Sequence, residues 1–177
     1  HRRRCEGTGP VQDAEGRRLA SAVTRTAKHP KSCHERALGL LAVRARSRRE
    51  LETRLRQAGF PADEIDDALE RLERVGLVDD AAFARQVAEH RFGTKHSGVR
   101  AVSHELLTKG VAPSLVAEVV GDAGEGEEDR ADELARARAA RLGSVEPAKA
   151  FQRLSALLMR RGYAPETARR AARRALE

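Results

Sequence analysis

The chain has no tryptophan, one tyrosine, four phenylalanines, one methionine and two cysteines in 177 residues. So few aromatic rings argue against the stacking platforms on which single-strand binders usually hold bases. Cys5 and Cys33 form no CxxC pair, so neither a disulfide framework nor a zinc site is indicated, and a reducing cytosol fits best. No apolar run approaches the roughly 18 residues of a membrane span. The opening HRRRCEGTGPVQDAEG lacks the apolar core of a secretory signal. A cytoplasmic location without membrane association is expected.

Catalytic patterns are missing as well. The histidines at 1, 29, 34, 90, 96 and 104 are scattered, with no HExxH and no His–Cys metal pair, and surface or capping roles suit them better. Gly121, Gly124 and Gly126 lack the lysine of a phosphate-binding P-loop and follow no strand. Neither catalysis, a metal nor a cofactor is expected.

What the chain has instead is charge and helix formers. Charged residues make up 34%, the formal net charge is +7, and the 40% apolar share is mostly Ala, Leu and Val. Such a composition suits close-packed helices. A basic surface steers towards polyanions, which makes nucleic acid or an acidic protein face the natural partner class.

Residues 1–33 show no sustained periodicity and read as a basic arm. Ser47 with Glu50 is a capping box that opens a helix through Leu51 and Leu55, and Gly59 closes it. Pro61 starts the next helix, with the stripe Ile65, Ala68, Leu69 and Leu72; Gly76 ends it, and Asp79 caps the one after. The pattern then recurs. Gly59-Phe60, Gly110-Val111 and Gly162-Tyr163 are each followed by a proline, at 61, 113 and 165. Four residues before each glycine stand Leu55, Leu106 and Leu158; eight before stand Leu51, Val102 and Leu154; nine after stand Ala68, Val119 and Ala171. Self-similarity at a fixed period marks a repeat architecture whose units contact mainly their neighbours. The expected fold is all-α: three tandem three-helix repeats at 34–78, 79–120 and 129–177, in an elongated array. The Gly-rich acidic stretch 121–128 reads as a flexible joint.

The first helices end alike, in Leu40-Leu41-x-x-Arg44, Val87-Ala88-x-x-Arg91 and Leu134-Ala135-x-x-Arg138. These arginines either form a functional row or neutralise their own helix ends. A helix-turn-helix reader is the structural rival, but Asp63, Glu64, Asp66, Asp67, Glu70 and Glu73 on one would-be recognition helix repel phosphate. The second such helix, starting at Pro113, offers Glu118 and no base. The third differs: Arg169, Arg170, Arg173 and Arg174 make it strongly basic, with only Glu166 and Glu177 expected nearby. Phe60, Phe83, Phe151 and Tyr163 fall on core or cap positions, whereas Phe92 is expected to be exposed. Glu50 with Arg54, Glu52 with Arg56 and Asp67 with Arg71 are expected i,i+4 pairs.

The series from Arg44-Ala-Arg46-Ser47-x-x-Glu50-Leu51 through Gly76-Leu77-Val78-Asp79-Asp80-x-x-Phe83-Ala84 resembles the RecX family of bacterial regulators of the recombinase RecA. The resemblance continues in Gly98-x-Arg100, Glu105-Leu106-x-x-Lys109-Gly110-Val111 and Arg161-Gly162-Tyr163, and covers roughly residues 35–177 in order. It implies a curved row of three-helix units lying along the groove of the RecA–DNA filament. It also implies inhibition of filament growth, ATP hydrolysis, strand exchange and coprotease activity. On that reading, Arg44, Arg46, Arg48, Arg91, Arg100 and Arg138 are candidates for contact with RecA. Lys95, Lys109, Arg160, Arg161, Arg169, Arg170, Arg173 and Arg174 are candidates for DNA phosphate, holding single- and double-stranded DNA weakly and without sequence preference. A monomer is expected. The alternative is a stand-alone helical DNA-binding protein of the transcriptional-regulator kind.

Overall fold

Ser47, buried completely, caps the helix that begins at Arg48. Its hydroxyl accepts from the Glu50 N–H while the Glu50 side chain turns back to the Ser47 N–H, a complete capping box. In the computed structural model, which describes residues 31–124 and 126–177, every regular element among those residues is helical. The first unit comprises α1 (Cys33–Val43), α2 (Arg48–Gln57) and α3 (Ala62–Arg74). The second comprises α4 (Asp80–Glu89), α5 (Val99–Thr108) and α6 (Pro113–Gly124). A π-helical turn over His90–Thr94 prolongs α4. The third comprises α7 (Glu127–Ala139), α8 (Pro147–Arg160) and α9 (Pro165–Arg174).

The glycines stop helices where the sequence places them. Gly59, Gly110 and Gly162 have φ of +92°, +79° and +92°, a left-handed backbone that only glycine adopts without strain. The repeat positions form the three cores. Leu55, Leu106 and Leu158 are wholly buried, as are Leu51 and Val102, with Leu154, Ala68, Val119 and Ala171 beside them. The expected pairs Glu52–Arg56 and Asp67–Arg71 form, at 2.5 and 2.8 Å.

Four expectations are corrected. Cys33 belongs to the first helix and to the core of the first unit, where burial pushes its thiol up to about 11; the rest of the expected arm, up to residue 30, lies outside the described residues. The stretch 121–128 is largely helical. α6 runs on to Gly124, and Glu127, Glu128 and Asp129 form the first turn of α7, where carboxylates complement the helix dipole. Phe92 is buried, because the π-helical turn rolls it into the core of the second unit, with the Arg130 guanidinium 4.6 Å from its ring centre. Glu50 pairs with Arg44 and Lys109 instead of Arg54, because its capping-box conformation folds it back over the helix start.

Successive units meet in the same way twice. The Ser47 hydroxyl donates to the Lys109 carbonyl at 2.5 Å, and the Gly98 N–H donates to the Arg161 carbonyl at 2.8 Å. In both joints, the N-cap of a second helix meets the residue before the next unit's turn glycine. Asp80 adds a bond from the Arg48 N–H at the first joint, and Tyr163 donates to the His96 carbonyl at the second.

Candidate polyanion-binding groove

The joints place basic side chains from neighbouring units side by side. At the first, a cavity of about 310 Å³ is lined by Arg44, His90, Arg91 and Lys109, with Phe83 and Val87 on its apolar wall. At the second, a cavity of about 300 Å³ is lined by Arg91, Lys95, Arg160 and Arg161 with Ser97 and Ala101. Arg91 and Glu105 line both, so the two cavities adjoin across the second unit.

Two carboxylates organise this groove. Glu105 holds Arg91 at 2.6 Å, and that hydrogen bond raises the arginine's pKa further. Glu50 holds Arg44 at 2.8 Å and Lys109 at 3.5 Å. Burial pushes the Glu50 carboxyl up, but the Arg44 hydrogen bond and the two cations outweigh it and hold it below the ordinary carboxylate range. Glu50 therefore stays ionised at neutral pH, fixed between its cations as Glu105 is fixed on Arg91. Neither was singled out from the sequence as part of a site, because their partners stand 6, 14 and 59 residues away in the chain.

The groove unites residues that the sequence assigned to two partners. Arg44 and Arg91 come from the filament set, and Lys95, Lys109, Arg160 and Arg161 from the phosphate set. The remaining candidates lie elsewhere. Arg46 is 9% exposed and donates to the Leu40 carbonyl, closing the end of α1; burial lowers its pKa, as does the neighbouring Arg44 charge. Arg48 turns to Glu73 and Asp66 on α3. Arg100 is exposed in the first turn of α5, and Arg138, half-buried at the end of α7, lines neither cavity.

The basic α9 is also less free than its sequence suggests. Arg170 pairs with Glu128, Arg174 with Glu128 and Asp132, and Arg169 with Glu166. The expectation that only Glu166 and Glu177 lie near these arginines is corrected: α7 packs alongside and presents its acidic first turns. Arg173 remains exposed.

Three family profiles match the three units. They are described as the first, second and third three-helix domains of RecX and cover residues 33–72, 79–120 and 126–172. The chain belongs to the RecX family. Relatives named "Regulatory protein RecX" include those of Amycolatopsis mediterranei, 40% identical over 134 residues, and Mycobacterium avium, 41% identical over 134. These alignments cover 75% and 74% of this chain and 77% of each relative. The Mycobacterium tuberculosis protein is 38% identical over 144 residues, covering 78% of this chain and 82% of that one. The crystal structure of RecX from Lactobacillus salivarius superposes with a TM-score of 0.72 at 18% identity, covering 81% of this chain and 94% of that one. A second RecX crystal structure gives 0.70 at 19% identity, covering 91% and 79%. These two show that the three-unit RecX fold is kept where little sequence is shared. No helix among the described residues is long and apolar enough to cross a membrane. No cluster of potential metal ligands occurs among them.

Proposed function

We propose that this RecX protein is a non-enzymatic modulator of the recombinase RecA. It binds the RecA–DNA filament in the cytoplasm as a monomer and inhibits filament growth, ATP hydrolysis, strand exchange and coprotease activity. The observation that carries this reading is the groove, which draws Arg44, Arg91, Lys95, Lys109, Arg160 and Arg161 from all three units to two adjoining cavities. A row of cations at unit joints suits a repeating polyanion better than a small molecule, and it reads charge and shape instead of base identity. Four of the five aromatic side chains support the same view: Phe60, Phe83, Phe92 and Tyr163 are buried, and only Phe151 is half-buried.

A stand-alone helix-turn-helix reader has less to stand on. Its second candidate recognition helix, α6, brings Glu118 and no base, and the arginines of α9 are largely engaged by α7. The deciding experiment is RecA ATP hydrolysis on single-stranded DNA, with and without this protein. Inhibition is expected, and Arg44→Glu with Arg91→Glu is expected to remove it while the helical circular dichroism is retained. Full inhibition by the double variant would make those arginines structural. Tight, sequence-selective duplex binding without RecA would favour the stand-alone reading.

A further inference from the structure

The two joints can be laid over one another residue by residue, and one of the differences removes a carboxylate. Counting from the N-caps Ser47 and Gly98, Arg44 corresponds to Lys95 and Glu50 to Ala101; counting from the turn glycines, Lys109 corresponds to Arg161. At the first joint, Arg44 and Lys109 converge on the Glu50 carboxylate. At the second joint the cations are kept, and Arg160 is added, but a methyl group stands where the carboxylate would be. Three other carboxylates lie near this joint: Glu105 holds Arg91, Glu127 accepts from the Val99 N–H at 2.9 Å, and the exposed Glu133 faces the His96 ring at 3.9 Å. Lys95 and Arg160 are exposed and make no ion pair among the described residues, while Arg161 donates to the Lys95 carbonyl at 2.7 Å.

We propose that the second-joint cavity binds a phosphate group where the first joint places the Glu50 carboxylate, and that the bound phosphate ties the second unit to the third. This rests on the reading of the groove as a polyanion site and adds to it a position and a mechanical consequence. The first joint is stapled by its own anion; the second is stapled by a borrowed one. Lys95 belongs to the second unit, and Arg160 and Arg161 to the third, so one phosphate touching all three bridges the units. The Gly98 and Arg100 N–H groups, which donate across the joint to the Arg161 and Gly162 carbonyls, report on that closure.

The test uses the full chain with two probes, a short oligothymidylate and inorganic phosphate. Oligonucleotide binding is expected to slow hydrogen exchange at the Gly98 and Arg100 amides. Ala101→Glu supplies the missing carboxylate internally, so it should weaken oligonucleotide binding by about tenfold, as losing one charge-assisted contact does. The log–log salt slope should become shallower by about 0.7. Glu50→Gln makes the converse change at the first joint and should strengthen binding and steepen the slope by about the same amount. It also keeps the idea testable should Ala101→Glu fail to fold. Oligonucleotide binding that neither substitution alters, or that leaves the joint amides unchanged, overturns the inference while sparing the polyanion reading. No oligonucleotide binding at all by the unaltered chain overturns the polyanion reading itself. Slowed exchange with inorganic phosphate, to which the oligonucleotide adds nothing, supports the pocket and assigns it to the free ion.

Discussion

Gly162 and Gly76 both hold a positive φ, +92° and +72°, but differ in what surrounds them. A Cβ on Gly76 would meet nothing within 4 Å, whereas one on Gly162 would sit 2.4 Å from the Ala101 Cβ and 2.5 Å from its backbone nitrogen. Gly76→Ala should therefore cost only the left-handed strain, about 1–2 kcal/mol. Gly162→Ala should cost a further 1–3 kcal/mol or so from forced overpacking of the joint. Urea denaturation of the two variants gives the comparison, and equal losses would mean that the second joint yields freely. Tyr163 offers a second probe of the same joint. It is the only tyrosine in a chain without tryptophan, 1% exposed, with its hydroxyl donating to the His96 carbonyl at 2.9 Å. Burial chiefly pushes its phenol up, from 10.0 to about 12. The folded phenol thus keeps its proton where the unfolded one has lost it. The resulting stabilisation is complete below pH 10.0 and is lost as pH rises through about 12. Phenolate absorbance should rise near pH 12 in the native protein and near 10 in denaturant; a native midpoint near 10 would mean that the ring is wet.

At the scale of elements, most of the fold could be read in advance because each helix carries its own boundary signals. Ser47, Asp79, Gly59, Gly110 and Gly162 cap or stop helices as their chemistry dictates, and the spacing of the glycines marks out the repeat. What local chemistry does not encode is what one unit does to the next. Ser47 could be read as a cap, but not as a donor to the Lys109 carbonyl 62 residues away. Glu50 could be read as half of a capping box, but not as the anion between Arg44 and Lys109. The arginines of α9 looked free because α7, which neutralises two of them, is distant in sequence. Phe92 reads as exposed from α-helical periodicity, because the π-helical turn shifts its register. Ser47→Ala tests the double role directly. A lost N-cap alone costs about 1 kcal/mol, and the lost bond to the next unit adds about another. A total near 2 kcal/mol is expected from urea denaturation. Ser47→Gly should recover most of the capping share but none of the inter-unit share, and full recovery with glycine would mean that the bond to Lys109 contributes nothing.

For the whole molecule, two basic regions among the described residues are candidates for the proposed DNA contact, and counterions discriminate between them. A cation that is already paired with a protein carboxylate releases little salt on meeting phosphate, whereas an unpaired one releases its counterion in full. Lys95 and Arg160 make no ion pair among the described residues, while Arg170 and Arg174 are held by Glu128 and Asp132. Replacing Lys95 and Arg160 together by Ala should weaken binding to single- and double-stranded DNA and shallow the log–log salt slope by roughly 1.4–1.8. Replacing Arg170 and Arg174 together removes the same formal charge but should shift the slope far less. Fold is not at issue in the second case, because exposed pairs of this kind contribute only about 0–1 kcal/mol each. Fluorescence anisotropy titrations across a range of salt concentrations measure both slopes. A larger change from the α9 pair would move the DNA contact to the face of the third unit and leave the groove to RecA alone. The segment 1–30 is the third contender, with arginines at 2, 3, 4, 17, 18 and 25. A chain lacking it should keep the Lys95 and Arg160 effect in full, since those side chains are placed by the second joint. If that effect vanishes with the segment, the groove binds DNA only when the segment has already captured it.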